Sequence, residues 1–537
     1  MFALAILIGI YSYLVMALGF AGFLYKPVLV SISLIYLFAI IFFHKLWLKT
    51  SFFRCLEILK KIQKQKIFFF LFILLFLQAL INFIGVLGPE LGFDALWYHL
   101  TLPKIYLENH SVFYIPGGLL YYSVMPKLTE MIYISALAFN GEILAKLIHF
   151  SFGILTCVAL YKVSREFFSS KASLIGVVIF YSNLVVGWQS ITAYVDLART
   201  FFELLALWGF IKLYKSGEKK WLVESAVMLG LAISTKLLAL GSLLIFSLLI
   251  IFYFLHVKKN LNNLFIGLFV YWSICLLVPL PWFVFSYINT GSPIFPFFTD
   301  LYRFNLDISL INPIKFIVDT WDVFTKSSDP VSPIYIIFLP LILFFFKKSK
   351  FDLKVIYIYS IIAIVIWYLT PRTGGGRFIL PYLPALSILC VSVLEKTKGK
   401  ILGITLIGLV IIVSIVSIVY RGIANFKYLP VVIGKQTRAD FLSLNLNFSF
   451  GDFYDTDGYF KNTIKTTDKV LLYGFHNLYY VNFPFVDSSW VKKGDTFNYI
   501  AVQEADLPER FWDWDLIYHN QKTKVKLYSK GGIMWHY

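Results

Sequence analysis

Acids are scarce in this 537-residue chain, 30 against 48 lysines and arginines, so the few that adjoin apolar runs are the first candidates for chemistry. Asp94 stands in Gly88-Pro89-Glu90-Leu91-Gly92-Phe93-Asp94-Ala95-Leu96-Trp97-Tyr98-His99-Leu100. A carboxylate beside an apolar wall can have its pKa tuned and act as a general base. The competing role is a solvated acid or a helix cap. The pattern Leu96, Leu100, Leu102, Ile105 and Tyr106 predicts a short helix in the membrane interface, anchored by Trp97 and Tyr98. His99 could bind substrate or relay a proton to Asp94. Asp196, in Tyr194-Val195-Asp196-Leu197-Ala198-Arg199, opens a second predicted helix. The macrodipole favours an acid there even without a function. Glu203 follows on the same helical face, and a carboxylate inside a membrane needs a partner, for which Arg199 or Lys236 could serve. Lys236 sits at a helix end, where a lysine also snorkels readily. Arg372 and Arg377 flank Gly374-Gly375-Gly376. Their planar forks suit phosphate and the glycines admit close backbone approach, although lipid headgroup contact accounts for them equally well.

These groups need a scaffold, and the composition says which solvent it lives in. The chain is 59% hydrophobic and only 15% charged, too little polar surface for a soluble fold of this length. Apolar runs predict an all-α polytopic membrane bundle of about 13 transmembrane helices. They lie near 2–24, 27–47, 67–87, 143–163, 171–188, 197–214, 221–237, 240–257, 262–285, 331–346, 354–370, 377–394 and 401–420. The net charge of +18 resides largely in short connections: Lys49–Lys66, Lys162–Lys171, Lys212–Lys220, Lys258–Asn260, Lys347–Lys354 and Lys396–Lys400 hold about 22 Lys and Arg. They alternate without a slip, which by the positive-inside rule predicts the N-terminus inside and the C-terminus outside. The domain expectation is a membrane domain over 1–420, with outer loops 87–142 and 286–330, and a small extracytoplasmic α/β domain over 421–537. In the latter, 14 basic residues nearly balance 12 acidic ones. Lys469–Gly474 and Tyr499–Val502 predict buried strands, and Thr523–Tyr537 predicts a hairpin around Lys530-Gly531-Gly532.

What is absent narrows the function. No P-loop, dinucleotide fingerprint, HExxH or Ser-His-Asp spacing occurs, and the four cysteines show neither a disulfide framework nor a zinc motif. No basic stripe with interleaved aromatics argues for nucleic acid. The inner loops are too short for a nucleotide-binding domain, so the chemistry is expected outside, and an activated donor must arrive on a membrane lipid. A transporter or lipid-linked glycan flippase is the alternative class. Such proteins place polar groups near mid-membrane on broken helices and often show repeats, whereas the polar groups here collect at one mouth. A surface-glycan ligase or polymerase is a third reading.

Four segments in order resemble landmarks of the C-fold (GT-C) membrane glycosyltransferases. The likeness is to the bacterial branch of aminoarabinose and Rgt-type transferases, related to dolichyl-phosphate-mannose-protein mannosyltransferases. Phe93–Glu108 resembles the first outer loop with its catalytic acid, and Ala193–Ala198 the second acidic landmark. Pro281–Phe297 resembles the Pro-Trp to Gly-Asn-Pro stretch, with Ser292 in place of the usual Asn. Arg377–Leu386 resembles a late-span motif. The resemblance implies an inverting transfer from a polyprenyl-phosphate sugar to a lipid, glycan or protein acceptor, in a multi-pass protein of the plasma (inner) membrane with an extracytoplasmic site. Carried over, Asp94 is the general base, Asp196 orients the acceptor or a metal, and Lys236, Arg372 and Arg377 meet the donor phosphate. Ala95 follows Asp94 where a second acid would make a metal-binding pair, so a divalent cation could join the site but the sequence indicates none.

Overall fold

The computed structural model describes residues 1–43, 66–258, 261–300, 312–326, 330–349, 351–370, 375–531 and 533–537. Arg372 lies outside these residues, as do Gly374, Cys55 and most of the first inner loop.

The described residues of the 13 expected spans lie mostly in helices, although that does not establish the number of crossings. Six described helices are long and apolar enough to cross a bilayer: Phe2–Phe20, Lys66–Leu87, Glu142–Ser164, Leu237–Lys258, Asp352–Leu369 and Ile401–Phe426. A seventh joins Leu261–Leu277 to Leu280–Thr290 across a 64° bend. Pro279 and Pro281 flank that bend, and each removes a helical hydrogen bond donor. The other expected spans fail on length, as with Ser170–Tyr181 and Ile334–Phe345, or on charge. The helix Asp196–Ser216 carries Asp196, Arg199, Glu203, Lys212 and Lys215, yet nearly all of it is buried. It runs through the centre of the bundle. Its charges are neutralised in place: Arg199 Nε donates to Glu203 at 2.6 Å, and Ser242 Oγ donates to the other Glu203 oxygen at 2.6 Å. The helix Ile401–Phe426, by contrast, leaves Ile404, Ile412, Val416, Val419, Ile423 and Phe426 exposed. Such a stripe suits hydrocarbon.

Segment 87–142 contains more than loop. A single π-helical turn, Ala95–His99, runs into the helix Thr101–Glu108, and Leu128–Asn140 forms a third helix. Leu96, Leu100, Leu102 and Tyr106 are fully buried, so this short helix turns its apolar face into the protein rather than into a lipid interface.

The tail forms a five-stranded sheet in the order β2-β1-β4-β6-β5, from β1 (Val470–Tyr473), β2 (Phe485–Asp487), β4 (Tyr499–Gln503), β5 (Asp515–Asn520) and β6 (Val525–Ser529). β1 pairs parallel with β2 and β4, and β6 antiparallel with β4 and β5. The two expected buried strands are β1 and β4. The expected hairpin over Thr523–Tyr537 does not form. Both edges of β6 are already occupied, so the chain beyond Gly531 turns away, and β7 (Trp535–His536) pairs with β3 (Thr496–Phe497) in a separate ribbon.

Candidate active site

The site begins with a buried acid whose oxygens are taken up by backbone amides. Glu90 receives the N–H groups of Leu91 (2.9 Å) and Gly92 (2.7 Å) on Oε1 and that of Ala193 (2.6 Å) on Oε2. It thereby ties the loop that carries Asp94 to the turn that precedes Asp196. Gly92 is required there, because a Cβ would stand 2.9 Å from the Tyr194 ring and 3.0 Å from Glu90 Oε1. The same turn is braced from the helix Glu142–Ser164. His149 donates from Nδ1 to Thr192 O (2.7 Å) and accepts at Nε2 from Leu197 N–H (3.0 Å), satisfying one of the open amides at the start of Asp196–Ser216.

Asp94, 7% exposed, is held from three sides. Its backbone N–H donates to Tyr194 Oη at 3.0 Å, Tyr98 Oη donates to Oδ2 at 3.2 Å, and Arg377 pairs with the same oxygen at 2.5 Å. The π-helical turn brings Tyr98 back over Asp94, and Tyr98 stacks on Tyr122 at 3.8 Å between ring centroids. Arg377 comes from the turn Gly376–Phe378, with its guanidinium 5.5 Å from the Tyr194 ring centre. Alongside, Lys236 Nζ pairs with Asp196 Oδ1 at 2.7 Å. Asp94, Lys236 and Arg377 line one cavity of about 490 Å³, together with Phe93, Trp97, Tyr122 and Phe378.

His99 lines this cavity too, and pairs with Glu130: Nδ1 lies 2.8 Å from Oε1. Lys127 completes that wall. It donates to the carbonyls of Tyr122 (2.6 Å), Ser123 (2.7 Å) and Met125 (2.5 Å), and burial pushes its ammonium down to about 7 against the opposing pull of Glu130. Among the described residues no three His, Cys, Asp or Glu side chains come together as metal ligands. Asp94 and Asp196 each already face a cation, a donor set that suits an anionic ligand better than a divalent ion.

The tail reaches this site directly. Tyr479 N–H donates to Leu96 O (3.2 Å) and Tyr480 Oη to Glu90 O (2.9 Å), either side of Asp94. Lys104 Nζ donates to Tyr479 O (2.9 Å), Val481 O and Asn482 Oδ1 (3.0 Å). The His476 ring lies 4.8 Å from Phe93 and 4.3 Å from Trp97.

Similarity to known structures extends over most of the chain. ArnT from Cupriavidus metallidurans in the apo state superposes with a TM-score of 0.58, covering 86% of this chain and 98% of that one at 11% identity. The same protein bound to undecaprenyl phosphate gives 0.55 at 12% identity, with the same coverage. This is a GT-C fold. Residues 131–285 match the family model of dolichyl-phosphate-mannose-protein mannosyltransferases. No curated protein matches. An oligosaccharyltransferase from Archaeoglobus fulgidus aligns over 85% of this chain and 73% of its own at 14% identity, with a TM-score of 0.49. The chain therefore resembles the GT-C glycosyltransferases of the ArnT and mannosyltransferase branch.

Of the candidates named from sequence, this GT-C fold gathers Asp94, His99, Lys236 and Arg377 around one cavity, with Asp196 bound to Lys236 behind it. Glu90, Glu130, Lys127 and Tyr122 were not singled out, and Tyr98 was read only as an interface anchor. The signal for Glu130 was available: two ionisable residues in Pro126-Lys127-Leu128-Thr129-Glu130 open an otherwise apolar helix, and polar groups so placed are retained for a partner.

Proposed function

We propose that this protein is an inverting glycosyltransferase that moves a sugar from a polyprenyl-phosphate donor to a lipid, glycan or protein acceptor on the outer face of the plasma (inner) membrane. The reading includes 13 crossings, with the N-terminus inside and the tail outside. The observation that carries it is the pairing of Asp94 with Arg377, from segments 283 residues apart, on a cavity wall that also holds Lys236.

In the proposed reaction the acceptor oxygen or nitrogen attacks the anomeric carbon from the face opposite the phosphate. Its bond to that carbon forms as the carbon–phosphate oxygen bond breaks, and the electron pair leaves with the phosphate. Asp94 takes the acceptor's proton. The leaving phosphate is already ionised, so it needs cations more than an acid; Lys236 and Arg377 supply them, and Arg372 is a further candidate. Asp196 holds Lys236 toward the phosphate and orients the acceptor. An arriving phosphate competes with Asp94 for the Arg377 guanidinium, so donor binding loosens the pair and releases the carboxylate to act as base. ArnT, solved with undecaprenyl phosphate bound, and the dolichyl-phosphate-mannose-protein mannosyltransferase family support a lipid-phosphate donor.

The test is transfer of radiolabelled sugar from polyprenyl-phosphate donors by purified protein. Asp94→Asn keeps size and shape but cannot accept the proton, and should lower the rate about 10²- to 10⁴-fold with unchanged thermal stability. Wild-type transfer by Asp94→Asn would remove the base assignment. No transfer by the wild type from any donor would favour a transporter.

A further inference from the structure

Three buried polar residues of this bundle, Glu90, His149 and Glu203, are used on every atom that can be used. Both oxygens of Glu90, both nitrogens of His149 and both oxygens of Glu203 have partners. The His99–Glu130 pair departs from this. His99 is 2% and Glu130 4% exposed. Their mutual hydrogen bond uses one atom of each, and His99 Nε2 and Glu130 Oε2 find no partner among the described residues. Other buried atoms share this condition, those of Gln78, Asn82 and Gln189 and Asp196 Oδ2 among them, but among the described residues only His99 Nε2 and Glu130 Oε2 belong to side chains that line the cavity. An orphaned buried polar atom costs on the order of 1–3 kcal/mol and calls for a partner from outside the chain. Both residues of the pair line the cavity that holds Asp94, Lys236 and Arg377, so a ligand in that cavity can supply it.

The chemistry of the partner follows from the atoms left open. Glu130 Oε2 accepts and requires an O–H or N–H. With Nδ1–H committed to Glu130, Nε2 of a neutral imidazole accepts as well, and in the charged ring it donates. A hydroxyl satisfies either state. A phosphate oxygen is repelled by Glu130, and an acyl chain offers nothing. The cations Lys236 and Arg377 mark where a phosphate goes, and the pair marks a place for hydroxyls in the same cavity. We propose that His99 and Glu130 form a subsite that grips a ring hydroxyl of the donor sugar and so determine which sugar is transferred. The inference rests on the transferase reading and deepens it.

Glu130→Gln is the informative change. Its amide oxygen still accepts from His99 Nδ1–H, while its NH₂ turns the open acceptor into a donor, so the pair survives with its polarity toward the ligand reversed. His99→Asn provides a second variant should the first fold poorly. The probes are polyprenyl-phosphate glucose, galactose and mannose, which differ from one another in the orientation of one or two hydroxyls, assayed at a fixed acceptor. The wild type should favour one epimer by at least tenfold in kcat/KM. In both variants that preference should fall to within about threefold, chiefly through loss on the favoured donor, with melting temperature retained. A preference unchanged in both variants, all donors slowed by one common factor, overturns the subsite. If the variants alter discrimination among acceptors at a fixed donor and leave the donor preference intact, the donor assignment is overturned. No transfer by the wild type from any of the three or from a wider donor pool overturns the transferase reading, and the subsite with it.

Discussion

Glu90 offers a sharp test of how the site is built, because it lies four residues from Asp94 and touches neither substrate nor cation in the proposed reaction. Its carboxylate is the link between the two acidic segments: Leu91 and Gly92 amides on one oxygen, Ala193 on the other at 2.6 Å. Burial raises its pKa, opposed by Lys146 and the three amides; since both oxygens accept, the charged form fits the geometry. Glu90→Gln keeps one oxygen for Leu91 and Gly92 but presents an NH₂ to the Ala193 N–H, donor against donor. The hydrogen bond lost was charge-assisted, worth about 1.5–3 kcal/mol. Relaxing the clash needs the two segments to part by roughly 0.5–1 Å, the difference between a hydrogen bond and a van der Waals contact. A displacement of about 1 Å at the reacting groups is enough to cost about 10²-fold in rate. The expected result is a kcat lowered about 30- to 100-fold, with donor KM changed less, because Lys236 and Arg377 stand on other backbone segments even though their side chains pair with Asp196 and Asp94. Initial-rate kinetics with a radiolabelled donor, beside thermal unfolding in detergent, would measure both. A stable Glu90→Gln protein with wild-type kcat would refute the claim that this carboxylate sets the spacing of Asp94 and the Asp196 turn.

Arg377→Lys keeps the charge but loses the fork, so apparent donor affinity should fall about tenfold while the fold survives; unchanged affinity in both Arg377→Ala and Arg372→Ala would leave these as headgroup contacts. Single cysteines at Asn109 and Ser449 should react with an impermeant maleimide in intact cells, and those at Ser169 and Ser216 should not; the opposite pattern would reverse the proposed topology. His476→Ala should lower kcat by about tenfold at constant donor KM and His476→Phe should restore it, since a ring retains the stack on Phe93 and Trp97; equal activity in the two variants would deny the ring a positioning role.

The sequence made the helices legible because apolar length is a local property, and Asp94, Lys236 and Arg377 were legible because polar groups beside apolar runs are few. Their convergence was not. Nothing local says that Arg377 pairs with Asp94, or that Lys236 closes on Asp196 across 40 residues. The role of His99 depended on Glu130, 31 residues on, in a helix hidden inside a stretch read as loop. Segment 87–142 lacks the long apolar run that marks a span, and its helices are short and largely buried. The hairpin failed for a related reason. Glycines at 531 and 532 permit a turn, but which strand a chain pairs with is settled by the edges already taken, and β6 had none left.

The contacts that residues 476–482 make around Asp94 also have a consequence in time. The segment that carries the acid is synthesised early, and the ring and amide that brace it follow some 380 residues later, roughly 20–80 s at ordinary rates of translation. Until then the loop around Asp94 lacks its lid of tyrosines and His476, so a chain that has passed Arg377 but not reached His476 holds every acid and cation of the cavity without the brace that aligns them. On the transferase reading, a nonsense mutation between codons 378 and 476 should give an inert product rather than a partly active one.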